Sequence, residues 1–160
     1  MWTVMPSPIG DLRIVEHAGA ITAIEFTPFR TGPTGLPRGD RQDDHPVLID
    51  AVAQLTAYFV RDRLDFELPL SPAGTTFQRT VWEALQGIGY GETASYGEIA
   101  HRIGKTNAAS RAVGLANGRN PIPIVIPCHR VIGANGTLTG YAGGLERKQL
   151  LLGLEQDALF

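Results

Sequence analysis

Asn120-Pro121-Ile122-Pro123-Ile124-Val125-Ile126-Pro127-Cys128-His129-Arg130-Val131-Ile132 holds the single cysteine of this 160-residue chain, followed at once by a histidine and an arginine. The β-branched run Ile124 to Ile126 reads as a short buried strand. Pro127 cannot extend a sheet ladder and turns the chain, so Cys128 is expected at the end of a rigid element. A thiol beside two groups able to carry positive charge has the setting that lowers a cysteine pKa and makes a nucleophile. Lone cysteines are more often small buried hydrophobes. The residues on either side decide between these readings.

On the N-terminal side, Ser71-Pro72-Ala73-Gly74 reads as a linker between an N-terminal domain, residues 1–70, and a C-terminal domain, residues 75–160. Thr75 and Gln78 form a capping box for a helix whose Phe77, Val81, Leu85 and Ile88 share one face and which ends in Gly87-Ile88-Gly89. Phe77 and Trp82 lie within that helix and are expected in the core. Ser95 and Glu98 form a second capping box, and the short helix they open is stopped by Gly104. Lys105-Thr106-Asn107 signals the start of another helix, Ala108 to about Asn117. Two short helices across a tight turn make a helix-turn-helix pattern, weak by itself. The second helix is built from small residues (Ala108, Ala109, Ser110, Ala112, Gly114, Ala116 and Gly118), with Arg111 its one long charged side chain. Readers of the major groove present several polar side chains. A slim helix with one arginine suits shape recognition in the minor groove, or else close packing on another helix.

On the C-terminal side, Gly133-Ala134-Asn135-Gly136 is a turn and Leu138 to Gly144 a glycine-rich loop around Tyr141. Leu145 to about Gln156 reads as a final helix, with Glu155 an ordinary surface carboxylate on its own showing. In the N-terminal half, residues 2–5, 12–15 and 20–27 read as strands and 28–44 as an exposed loop. Pro46 starts an amphipathic helix to about residue 60, behind the acidic pair Asp43-Asp44, and Leu64 to Leu70 reads as a further strand. No ligand constellation appears in residues 1–70, which suggests a scaffold.

Hydrophobic residues at 43% and charged residues at 19% describe a globular chain. No apolar run approaches the roughly 18 residues of a membrane span, and Met1-Trp2-Thr3 lacks a basic region before an apolar core, so no membrane association is expected. One cysteine excludes an internal disulfide and a cysteine-rich zinc site, and fits a reducing cytoplasm. The net charge of −2 is unevenly spread. Residues 1–74 hold 6 basic and 10 acidic side chains, a balance of −4, whereas residues 75–160 hold 8 and 6, a balance of +2. Any surface facing a polyanion belongs to the second half.

Pro127-Cys128-His129-Arg130-Val131, preceded by Asn120-Pro121, resembles the active-site segment of the O6-alkylguanine-DNA alkyltransferases. The likeness extends over residues 75–156, through Tyr96-Gly97-Glu98-Ile99-Ala100, Arg111-Ala112-Val113-Gly114, Gly140-Tyr141 and Gly143-Gly144. It implies an α+β protein: an N-terminal α/β domain with a small antiparallel sheet, and a mainly helical C-terminal domain carrying the helix-turn-helix. It further implies irreversible, single-turnover transfer of an alkyl group from O6-alkylguanine, or O4-alkylthymine, in double-stranded DNA to Cys128. His129 would be the base, acting through a water, and Glu155 would orient it. Tyr96 would hydrogen-bond the guanine and help rotate the nucleotide outward. Asn120 would tie the recognition helix to the active-site segment, and Arg111 would fill the gap left in the stack. Ala109, Ser110, Ala112 and Gly114 would meet the minor groove. Backbone carbonyls of Cys128 and Val131 would read the exocyclic amine, while Tyr141, Ala142 and Gly143 close the pocket. The resemblance implies no cofactor and no metal, and a monomer. Three departures stand out. Gly89 replaces a proline, Ala142 replaces a hydroxyl residue of some relatives, and the N-terminal half lacks the cysteine cluster of zinc-binding relatives. From the residues alone, two other readings stay open: a module that binds alkylated DNA without transfer, and a thiol hydrolase.

Overall fold

A computed structural model describes residues 1–29, 39–136, 138, 140, 141 and 143–157. It divides into two compact units, Met1–Ala73 and Gly74–Phe160. In the first, β1 (Trp2–Met5), β2 (Leu12–His17) and β3 (Ala20–Phe26) form an antiparallel sheet in the order β1-β2-β3. Alternation turns Leu12 and Ile14 inward, and the β-bulge opposite Val15 and Glu16 lets Ile21 and Ile24, three apart on β3, both do the same; all four are buried. The helix α1 (Pro46–Phe59) lies against this sheet through Leu48, Ala51, Leu55, Tyr58 and Phe59.

α1 starts at Pro46 as expected, and His45 caps it, its Nδ1 accepting from Val47 N–H at 3.2 Å. Asp43 is held by Thr3 and Arg41. One expectation for this unit needs correction: Leu64–Leu70 is not a strand. Buried Gln54 takes over the backbone groups a ladder would use, accepting from Glu67 N–H at 2.9 Å and donating to Glu67 O at 3.1 Å. Pro69 has no N–H to give, so sheet contact shrinks to a single bridge between Leu70 and Ile21. Most of the expected 28–44 loop, residues 30–38, lies outside the described residues.

The second unit is mainly helical. Thr75 and Gln78 close the expected capping box on α2 (Thr76–Leu85), and Val81, Trp82 and Leu85 are buried. The strand β4 (Ala94–Ser95) runs directly into α3 (Tyr96–Arg102), where Ser95 accepts from Glu98 N–H at 3.1 Å. The next helix starts later than the sequence suggests. Asn107–Ala109 form a 3-10 turn with no side-chain cap, and α4 spans Ser110–Gly118. The Asn107 carboxamide that would cap it faces His101 Nε2 at 3.1 Å instead. A parallel pair, Ala94 with Val131 and Ser95 with Ile132, joins β4 to β5 (Val131–Ile132), and α5 (Leu145–Asp157) closes the chain. This pair sets the start of α3 beside the cysteine segment.

Trp82 seats α4: its indole N–H donates to Ala116 O at 2.8 Å, fully buried. Trp82→Phe keeps most of the apolar volume but loses this bond, and should lower stability to urea by about 1–2 kcal/mol. An unchanged urea midpoint would show that the bond does not seat the helix.

Candidate active site

The cysteine segment is buried from Ile122 to Val131, yet it is not a strand. Ile126 N–H donates to Ile122 O at 3.0 Å and Val125 N–H to Pro123 O at 2.9 Å, closing successive turns. Ile124 sits at φ 74°, a strained conformation for a β-branched residue. The prolines at 121, 123 and 127 remove the donors a strand would need, so the β-branched residues supply burial and no ladder. Asn120 holds the strained turn at both ends, donating to Ile126 O at 2.8 Å and accepting from Ile122 N–H at 3.0 Å. Cys128 then opens a 3-10 turn, Cys128–Arg130.

Cys128 is 3% exposed. Burial pushes its thiol up to about 11, while a hydrogen bond from the Asn120 side chain, the charge of Lys148 and the backbone N–H groups of Cys128 and His129 act the other way. The expectation that His129 and Arg130 would activate the thiol through their charge is therefore corrected. Arg130 turns away to Glu155, donating from Nε to Oε1 at 2.8 Å and from Nη2 to Oε2 at 3.0 Å, and its Nη1 donates to Ile88 O at 2.6 Å. His129 also turns to Glu155, with Nε2 at 2.7 Å from Oε2.

Glu155 is 1% exposed and is no surface carboxylate. Burial alone would raise its pKa, but hydrogen bonds from His129 and Arg130 outweigh it and hold the carboxyl at about 2. For His129 the balance goes the other way: burial lowers its pKa against the pull of Glu155, which favours the neutral ring. A carboxylate can only accept, so Nε2 must carry the imidazole hydrogen. The lone pair is left on Nδ1, which has no hydrogen-bond partner among the described residues. That nitrogen is the site's available base.

Three residues of this site were not anticipated in these roles. Adjacency in sequence points Arg130 at the thiol, whereas its guanidinium binds Glu155. Lys148 is fully buried and donates from Nζ to Val131 O at 2.6 Å. Its signal was the helical face it shares with Leu151 and Glu155, both buried. Asn117 donates to Cys128 O at 3.3 Å. It lies on the stripe of Val113, Ala116 and Asn120, all buried, a helical period that sets it inward among the small residues of its helix.

The proposed DNA-facing residues lie on α4 and the turn before it. Arg111 and Ala112 are exposed, whereas Ala109, Ser110 and Gly114 are half-buried. Tyr96 packs on Gly114, where a Cβ would sit 3.6 Å from two ring carbons. Tyr96, Ser110, Arg111, Gly114, Gly118 and Tyr141 line an open cleft of about 500 Å³, together with the exposed Leu115 and Gly140. Cys128 does not line it. Tyr141 links the two regions, since its phenol, raised mainly by burial, also feels the Cys128 charge. Gly143 O accepts from Arg147 Nη1 at 3.2 Å. Ala142 lies outside the described residues. Among the described residues, no group of three His, Cys, Asp or Glu side chains could hold a metal, and no helix is long and apolar enough to cross a membrane.

Residues 76–157 match the family described as 6-O-methylguanine DNA methyltransferase, DNA binding domain, and residues 1–72 match the ribonuclease-like domain of the same enzyme. The chain belongs to the 6-O-methylguanine DNA methyltransferase family. Among its relatives, a methylated-DNA–protein-cysteine methyltransferase of Mycolicibacterium paratuberculosis is 51% identical, the match covering 97% of this chain and 92% of that one. One from Methanosarcina acetivorans is 48% identical, covering 96% and 97%. The Mycobacterium tuberculosis OGT solved in complex with DNA superimposes with a TM-score of 0.86 at 46% identity, covering 98% of this chain and 93% of that one.

Linkage gives the site a pH signature. Glu155 ionises at about 2 in the folded protein against an ordinary 4.5. Its contribution is therefore complete above pH 4.5 and is lost as pH falls through the window from 4.5 to 2, amounting to roughly 3 kcal/mol. Urea midpoints measured across that window should fall steeply for the parent and less for Glu155→Gln. Parallel curves would mean that the carboxylate is not the acid-labile group.

Proposed function

We propose that this protein repairs DNA by direct reversal: an alkyl group on O6 of guanine is moved irreversibly to Cys128, and each molecule acts once. The observation that carries this reading is the imidazole of His129, which follows the only cysteine in the chain and is held by Glu155 so that its lone pair remains on Nδ1. A neutral imidazole accepts the thiol proton, directly or through a water, and the thiolate attacks the alkyl carbon. The S–C bond forms as the C–O6 bond breaks, and the released base takes a proton on N1 to become guanine. Glu155 remains ionised, steadied by Arg130, and stabilises the imidazolium. The reaction needs a reduced Cys128, consistent with a cytoplasmic setting.

The reacting carbon lies inside the duplex, so the nucleotide must be swung out, at a cost of about a few kcal/mol. We assign Arg111 to the vacated place in the stack, because it is an exposed cation on a helix otherwise able to approach a narrow groove. Tyr96, packed against that helix at Gly114, would turn the nucleotide, and Tyr141 would bound the pocket on the thiol's side. Arg102, Lys105, Arg111 and Arg119, before, on and just after α4, are all exposed. They suit phosphates on either side of the groove.

Mass spectrometry after incubation with a duplex containing O6-methylguanine should show one methyl on Cys128, and Cys128→Ala should show none while still binding the duplex. Binding by the parent without an adduct would instead identify a lesion-binding protein. A second measurement isolates extrusion. Arg111→Ala should slow transfer from duplex by about tenfold to a hundredfold, the scale of the unstacking cost, and slow transfer from the free alkylated base far less. An equal fall on both substrates would make Arg111 a structural or general electrostatic residue.

A further inference from the structure

Leu115 stands on the outer face of α4 and is 64% exposed. Single exposed leucines are ordinary on protein surfaces, so exposure by itself assigns nothing. Its neighbours do. Arg111 lies one turn before it and Arg119 one turn after, just past the helix end, and both are exposed. Residues four apart share a helical face, so the three form a ridge of cation, apolar group and cation. Alongside it, Ser110, Gly114 and Gly118, again four apart, give the cleft its small-residue side. Arg111 and Leu115 line the same cleft, so the ridge separates it from open solvent. No acidic residue occurs between Glu98 and Glu146.

That pattern selects the partner. A protein surface covering Leu115 would also cover two cations to which this stretch of chain supplies no carboxylate. The minor groove satisfies both parts of the ridge: phosphates along its edges take the cations, and sugars within it offer apolar surface. Ala112 and Gly118, also on the outer face, are too small to reach far. A leucine rising from so slim a helix must either enter the groove or hold the helix out of it. We propose that Leu115 is an apolar wedge that enters the minor groove and packs on its sugars, about 6 Å along the helix from Arg111. This assignment rests on the repair reading above, in which α4 faces the duplex and Arg111 fills the vacated place in the stack. Arg111 then replaces a base, while Leu115 seats the helix at the depth where that replacement is possible.

The test measures affinity for an undamaged duplex by fluorescence anisotropy over a series of salt concentrations. Leu115→Ala should bind about fivefold to tenfold more weakly at every salt concentration, the scale of covering the exposed part of one leucine. The slope of log affinity against log salt should stay at the parent's value, because no phosphate contact is lost. Arg119→Ala should instead make that slope shallower by about one. Leu115→Met, which keeps an apolar side chain of similar size, should restore binding to within about twofold of the parent. Position 115 is exposed, so thermal midpoints should match the parent's and exclude a folding defect. Unchanged affinity in Leu115→Ala overturns the assignment, and tighter binding would show the leucine to be an obstacle. A loss confined to low salt would make the effect an indirect one on the arginines. Loss of a protein dimer in sedimentation, with DNA affinity kept, would give the ridge to a second copy of the chain. Absence of a Cys128 adduct in the parent overturns the repair reading, and the affinities still decide the place of Leu115.

Discussion

The carboxylate of Glu155, enclosed with the imidazole of His129 and the guanidinium of Arg130, is the interaction on which the rest of the site depends. A buried charge survives only when its partners satisfy it, and here one carboxylate receives donors from two adjacent residues of one turn. Removing one partner would leave the others charged or polar in a dry interior, which typically costs about 3–5 kcal/mol. The same contact sets the chemistry. Because Glu155 stays ionised, Nε2 is the protonated nitrogen of His129 and Nδ1 the basic one. Arg130 supplies the charge that keeps Glu155 ionised and, through Ile88 O, fastens the turn to the end of the segment after α2.

A second constraint joins α4 to the backbone of Cys128. The stripe of Val113, Ala116 and Asn117 on α4 continues to Asn120, and all four are buried. Trp82 fixes Ala116, Asn117 reaches Cys128 O, and Asn120 holds the strained turn at Ile124. The inner face of α4 is therefore tied to the backbone of Cys128 by direct polar contacts. The bare outer face and the anchored inner face are two consequences of one helical period.

The electrostatic character of the second unit emerges only once burial is taken into account. Its balance of +2 is small. Arg130, Lys148 and Glu155 are buried and unavailable to a partner, while Arg102, Lys105, Arg111 and Arg119 are exposed within a short span around α4. A weak net charge thus accompanies a locally basic surface, the property that matters to a polyanion.

The sequence by itself determined the local features: the three-stranded sheet, the amphipathic α1, the capping box on α2, the small-residue helix and the chemical identity of the Cys128 segment. These follow from patterns a few residues long, in which side-chain period and capping groups act on their own neighbourhood. Where distant groups competed for the same backbone or side chain, local pattern misled. Gln54 claimed the peptide of Glu67 and left Leu64–Leu70 outside the sheet, and prolines with Asn120 folded Ile124–Ile126 into a turn. The thiol's environment was the largest such case. Adjacency in sequence suggested that His129 and Arg130 act on Cys128, but the 3-10 turn sends both to Glu155, 25 or 26 residues away. Only tertiary structure could decide that, because burial and long-range pairing, rather than chain proximity, set which charges a buried group feels.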